Sequence, residues 1–272
     1  MHAVSIPSDY DSNMVSFTLI CCATLAAGVA GFVDAIAGGG GLIVLPTLLL
    51  LDLPPHYALS TNKFSATLGT ASALQTFALS GFVLWKMALK GVFFSLGGAF
   101  IGSMLTLAIA PDRLSTILTL LLPIAFIISL TPKPFRKIST PCSVPNWKLF
   151  LICFVIGLYD GFFGPATGTF LIFAFHYFLA VELLQASATA KVLNLASNLA
   201  STLTFIGTGT MIWMLALPMA AGSILGNILG SKFAIKKGSE SVRHFLSFSL
   251  FLLMATLLYK YFGQELVNFF SH

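Results

Sequence analysis

The residues that could do chemistry come in matched pairs: Asp34 with Asp160, and Lys63 with Lys191. Asp34 lies in Gly31-Phe-Val-Asp34-Ala-Ile-Ala-Gly38-Gly39-Gly40-Gly41, and Asp160 in Gly157-Leu-Tyr-Asp160-Gly-Phe-Phe-Gly164-Pro165-Ala-Thr167-Gly168. In both stretches the Asp stands between two glycines at a spacing that puts all three on one helix face. The glycines let a second backbone approach that face. An ionisable residue in an apolar run is costly and marks a functional site by default. The unbroken glycines 38–41 interrupt a helix, each at about 1 kcal/mol relative to Ala. Each copy therefore reads as helix, break, helix, with an acid beside the break. The helices resume at about Gly41 and Gly168, and their N-termini offer N–H groups and a positive dipole end suited to an anion.

The lysines extend this pattern. From Lys191 a polar stripe runs through Asn194, Asn198 and Ser201 on one helical face. Lys63 has Asn62 beside it and is followed by Thr67 and Thr70. A cation with amide and hydroxyl donors suits an oxyanion. The candidate substrate-binding set is Gly38, Gly39, Gly40, Gly41, Asn62, Lys63, Thr67, Gly164, Thr167, Gly168, Lys191, Asn194 and Asn198, with Asp34 and Asp160 as proton-coupling groups. The competing reading is structural: each lysine snorkels at a helix end and each Asp pairs with it. His56, after two prolines, reads as a loop residue, and His176 and Glu182 as interfacial.

The elements that must position these groups are membrane helices. Of the 272 residues 57% are hydrophobic and 8% charged, against about 25% charged in soluble domains. The net charge of +5 calls for no nucleic acid, since basic cytoplasmic loops account for it. Cys21, Cys22, Cys142 and Cys153 form no secreted disulfide framework. The tail from Met1 to Asn13 carries Asp9 and Asp11 and no Lys or Arg, the wrong start for a cleaved signal peptide, so the first helix is expected to be retained. Apolar runs are expected over about 14–37, 42–51, 63–84, 91–110 and 114–130, then over 149–163, 169–180, 186–206, 212–235 and 245–262. Between the two sets lies a polar linker with Pro132, Pro134, Pro141 and Pro145.

The second set repeats the first beyond the Asp stretches. Thr61 and Lys63 match Thr189 and Lys191, Trp85 matches Trp213, and Gly98-x3-Gly102-Ser103 matches Gly226-x3-Gly230-Ser231, a small-residue packing face in both. The short runs around each break fit a re-entrant pair, giving each half an odd number of crossings and so inverted halves. Loop charge agrees: inversion puts Lys86, Lys90, Lys133, Arg136, Lys137, Lys148, Lys232, Lys236, Lys237 and Arg243 on one side, about ten of the 14 basic residues. The expected fold is an all-α integral membrane protein of two inverted repeats, 1–132 and 149–272, joined by a cytoplasmic linker, 133–148. Each repeat has a broken, re-entrant short helix pair and three transmembrane helices, and both termini are non-cytoplasmic.

At these residues the sequence resembles the TauE/SafE sulfite-exporter family. The matching stretches are GFVDAIAGGGGLIVLPTLLLLDLPPHYALSTNK, GLYDGFFGPATGTF and TAKVLNLASN, and with the small-residue helices the likeness runs from about Val15 to Tyr261. It is greatest to the subgroup with an Asp before each break. The resemblance implies an inner-membrane permease for small anions, with sulfite, sulfonates and related organosulfur compounds as the substrate class. It carries over Asp34, Gly38 to Gly41, Pro46, Asn62, Lys63, Asp160, Gly164, Pro165, Gly168, Lys191 and Asn194. No cysteine lies at either break, which argues against thiol chemistry in transport.

The expectation is a proton-coupled secondary transporter and not an enzyme. It has no cofactor or metal, and its partners are a small anion, the lipid bilayer and, as an assembly, a homodimer. No nucleotide-binding Gly-x4-Gly-Lys-[Ser/Thr] occurs, so ATP-driven pumping has no support. A channel using Asp34, Asp160 and break carbonyls as ligands is the alternative, with the lysines against it. An intramembrane aspartyl protease is the more distant one, since neither Asp follows Gly-x-Gly.

Overall fold

The computed structural model describes residues 16–111, 113, 114, 116, 117, 146–240, 242, 244 and 245. The N-terminal tail, most of the fifth run, the linker through residue 145 with its Lys133, Arg136 and Lys137, and nearly all of the tenth run lie outside the described residues. The described chain is helical: α1 (Phe17–Ala37), α2 (Gly41–Leu50), α3 (Pro55–Leu79), α4 (Trp85–Leu107), α5 (Asn146–Phe162), α6 (Thr167–Leu179), α7 (Leu183–Ile206) and α8 (Trp213–Lys237).

Among the described residues α1, α4 and α8 are long and apolar enough to cross a membrane. Large apolar side chains on them, such as Leu25, Phe93, Phe100, Leu225 and Leu229, are exposed. A water-soluble protein does not present so broad an apolar surface, and lipid is its natural neighbour. The helices α3 and α7 are as long, with 25 and 24 residues, but bury a polar stripe inside the protein.

The local signals are clear at most ends. Ser16 caps α1, its hydroxyl accepting from the Leu19 N–H at 3.2 Å. Gly38, with φ 74°, closes α1 in the left-handed conformation that glycine adopts without strain. Glu182 caps α7, accepting from the Leu184 and Gln185 N–H groups.

Three expectations need correction. The third helix begins at Pro55 and not near Lys63. Pro54-Pro55 does more than close α2, because proline also suits the first turn of a helix, where its missing N–H has no partner to lose. Lys63 therefore sits about two turns inside α3, as Lys191 does in α7, and neither lysine is at a helix end. His56 is accordingly no loop residue: it is buried in the first turn of α3, with Nε2 3.2 Å from the Thr106 carbonyl. His176 is also buried, its Nδ1 2.8 Å from the Val181 carbonyl.

After each break the chain turns back. A Cβ on Gly40 would lie 2.7 Å from Asp34 Cβ and 2.8 Å from the Ala30 carbonyl. The apolar face of α2, Leu42, Val44, Leu45 and Leu48, then packs in one cluster with Ala23, Ala27 and Ala30 of α1. In the second half Tyr159 meets Phe170 of α6 edge-on, and its hydroxyl donates to the Pro165 carbonyl at 2.7 Å.

The helices of the two halves interlock. The largest interfaces are α1 with α8 and α4 with α5, followed by α3 with α8 and α4 with α7. Each contact has its counterpart when the halves are exchanged. The small-residue faces cause the close approach: a Cβ on Gly98 would lie 2.3 Å from the Phe154 carbonyl, and one on Gly226 2.0 Å from the Gly28 carbonyl. Thus the glycine face of each half's fourth helix packs on the first helix of the other half.

Candidate functional site

The two breaks meet backbone to backbone. A Cβ on Gly38 would lie 2.2 Å from the Gly168 carbonyl carbon, so no side chain fits there. The Thr169 N–H donates to the Gly38 carbonyl at 3.3 Å, and its hydroxyl to the Ala37 carbonyl at 2.7 Å. Gly41 packs on Pro165. The interruption of one helix is thereby satisfied by the interruption of the other, which is how non-helical backbone is tolerated in an apolar setting.

The acids and lysines converge at this junction, paired across the halves. Lys63 of α3 reaches Asp160 Oδ1 of α5 at 2.7 Å, and Lys191 of α7 reaches Asp34 Oδ2 of α1 at 2.8 Å. Each carboxylate holds a lysine from the other half rather than the other carboxylate. Each also binds the start of the helix that follows it. The Gly40 N–H donates to Asp34 Oδ1 at 3.3 Å, and the Thr167 hydroxyl to Asp160 Oδ1 at 2.7 Å.

The pairs differ in their surroundings. The Lys63–Asp160 side chains are each 2% exposed, whereas Asp34 is 15% exposed against 1% for Lys191. Lys63 donates a second bond to Asn198 Oδ1 at 3.0 Å, and the Asn198 amide donates to Asn194 Oδ1 at 3.1 Å. Lys191 donates instead to the Asp34 backbone carbonyl. Gly164, with φ 95°, leaves room for the Lys63 ammonium, which would lie 3.0 Å from a Cβ there.

A cavity of about 40 Å³ opens beside the junction, room for about three waters by that measure. Of the residues expected from sequence, Asp34, Gly38, Gly40, Gly41, Asn62, Lys63, Asp160, Gly164, Thr167, Gly168, Asn194 and Asn198 line it. Three do not. Gly39 is buried within the break. Lys191 is engaged with Asp34 away from the cavity wall, and Thr67 bonds the Lys63 carbonyl and Thr202.

Sequence reasoning missed Ser65, Ser223 and Asn227, which also line the cavity. Asn227 had a readable signal. It stands inside the small-residue face of α8 where the first half has Ala99, and an amide in an apolar helix is costly unless something uses it.

A family model described as Sulfite exporter TauE/SafE matches residues 23–257. The chain belongs to the TauE/SafE family. Its similarity to curated relatives extends over most of both chains. It is 34% identical over 269 residues to the Escherichia coli K12 probable membrane transporter protein YfcA, covering 94% of this chain and 95% of the relative. A probable membrane transporter protein of Haemophilus influenzae is 38% identical over 243 residues, covering 85% and 91%. The Sinorhizobium probable membrane transporter protein ORF9 is 35% identical over 233 residues, covering 85% and 89%. No solved structure matches at a significant level. This TauE/SafE protein is thus a membrane protein of a transporter family.

Proposed function

We propose that the protein is a secondary transporter that moves a small anion, of the sulfite, sulfonate or related organosulfur class, together with protons across the inner membrane. The observation that carries this reading is the pair of ion pairs exchanged between the halves where the two helix breaks meet, beside a polar cavity. Breaks in duplicated helices are where transporters of this architecture place their ligands.

The halves act as inverted repeats. Support comes from the packing of each short helix against the helix before its break and from the reciprocal α1–α8 and α4–α5 interfaces. The basic loops then share the cytoplasmic side and both termini face away from it.

The charges suggest the coupling. With both acids ionised, two carboxylates and two ammonium groups cancel, and the cavity holds no net attraction for an anion. Protonating Asp160 leaves Lys63 uncompensated beside Asn198 and the N-terminus of α6, and an anion then offsets it. Proton and anion thus enter as a neutral pair, which lowers the cost of carrying charge through a low-dielectric site.

The test is sulfite uptake by vesicles containing the purified protein, with and without an inward proton gradient. The native protein should accumulate sulfite only with the gradient. Asp160→Asn should keep counterflow exchange and lose accumulation. Gradient-driven accumulation that persists in both Asp34→Asn and Asp160→Asn would remove the acids from coupling. Flux indifferent to a protonophore would favour a channel.

A further inference from the structure

We infer that Asn227 selects the ligand, and that the ligand carries a hydrogen-bond donor, an O–H or N–H, beside its anionic group. The inference rests on the cavity being the transport site and deepens that reading. The side chain of Asn227 is buried, at 2% exposure. Its Nδ2 donates to the Ser223 carbonyl at 2.9 Å and stands 3.3 Å from the Ser223 hydroxyl. A carbonyl only accepts, so the amide nitrogen must face it and the oxygen must face elsewhere. That oxygen, Asn227 Oδ1, has no hydrogen-bond partner among the described residues.

A second acceptor is in the same position. Lys63 and Thr167 both donate to Asp160 Oδ1, and Asp160 Oδ2 has no partner among the described residues. Asn227 and Asp160 line one cavity. Buried acceptors without donors are rare in folded proteins and call for an explanation. Protonation of Asp160, which the proposed coupling pairs with anion entry, turns its Oδ2 into a donor. Asn227 Oδ1 stays an acceptor, and a bare oxyanion brings it only another acceptor. A ligand with a donor beside its charge satisfies Asn227 Oδ1 on one side and the Lys63 cation on the other.

The duplication supports a dedicated role. Ala99 occupies the Asn227 position in the first half, where its backbone closely approaches Gly161, so close packing of this face does not require an amide. Space has been left for it as well: a Cβ on Gly31 or Gly69 would lie 2.8 or 2.6 Å from Asn227 Nδ2.

The experiment is calorimetric titration of the purified full chain with ethanesulfonate, 2-hydroxyethanesulfonate and 2-aminoethanesulfonate, which share an anionic head and differ in one donor. The native protein should bind 2-hydroxyethanesulfonate about tenfold or more tighter than ethanesulfonate, the effect of one buried acceptor gained or lost. In Asn227→Leu the two should bind within about twofold of each other on the same scale. Asn227→Asp keeps an acceptor in place and should shift preference toward 2-aminoethanesulfonate; it decides the matter if Asn227→Leu does not fold. Equal affinities in the native protein, a preference that survives in folded Asn227→Leu, or no shift in Asn227→Asp would each overturn the inference. Should none of the three bind while sulfite uptake proceeds, the ligand inference alone is overturned; should sulfite uptake be absent too, the transport reading falls with it.

Discussion

The two flanks of the junction share a backbone plan and differ in what fills it. On the flank formed by α1, α3 and α8, the cavity is lined by Ala27, Ala30, Ser65, Ser223 and Asn227. The matching places on the flank of α5, α7 and α4 hold Cys153, Ile156, Leu193, Ser95 and Ala99. Cys153 and Leu193 are fully buried there and crowd Gly91, where a Cβ would lie 2.6 Å from Cys153 Sγ. Even the shared serine is used differently: Ser95 donates to the Leu193 carbonyl at 2.9 Å, while Ser223 faces the cavity and the Asn227 amide. A few substitutions within a duplicated frame therefore decide which flank is open and which is packed. The ion pairs follow the same division, since Asp34 keeps partial exposure and Asp160 has almost none.

The sharpest way to break this comparison is to remove one lysine at a time. Lys63→Met leaves Asp160 buried without its cation and should cost about 3–5 kcal/mol of stability. Lys191→Met should cost clearly less, because Asp34 is partly exposed and keeps the Gly40 N–H. Adding Asp160→Asn to Lys63→Met should recover most of the loss. Thermal and denaturant unfolding of the purified variants measures all three, and equal losses from the two lysines would erase the contrast.

Truncating the packed flank comes next. Leu193→Ala should destabilise by about 2–5 kcal/mol, the range for a fully buried leucine. It should also open a second cavity, detectable as faster labelling of Cys153 by a thiol reagent. A loss below 1 kcal/mol would mean that the flank is not tightly packed.

A control on the symmetric part of the frame follows. Gly98→Ala and Gly226→Ala each force a Cβ into a backbone carbonyl of the opposite half. Both should destabilise by about 1–3 kcal/mol, and by similar amounts. A large difference between them would show that the interlocked interfaces are not equivalent.

The smallest effect on stability belongs to the open flank. Ser65→Ala removes a bond from its hydroxyl to the Asn62 carbonyl, 3.0 Å long, and should change stability by about 1 kcal/mol or less. Ser65→Leu, the residue that the packed flank carries, should fill the cavity and abolish sulfite binding with the fold intact. Retained binding in that variant would place the ligand elsewhere.

Much of the frame was legible because its signals are local. Glycines 38–41 and Gly164-Pro165 interrupt apolar runs, and no neighbour is needed to know that a helix stops there. The start of α3 was less legible, since a proline pair both ends one helix and begins the next, and the polar residues 56–63 disguise a buried turn. Asn227 was passed over because the glycines around it explain the packing face without it.

The sequence by itself determined that the chain is a duplicated, mostly apolar helical protein whose acids stand beside two breaks. Composition, period and spacing are properties of the chain alone. Only the tertiary structure decided that Asp34 takes Lys191 and Asp160 takes Lys63, each from the other half. Either acid could in principle pair with either lysine. The choice is made by how α3 and α7 pass the junction, and that path is set by glycine faces that bring α1 onto α8 and α5 onto α4. The cavity was decided in the same way, because a void is a property of side chains from several helices meeting and of none of them alone.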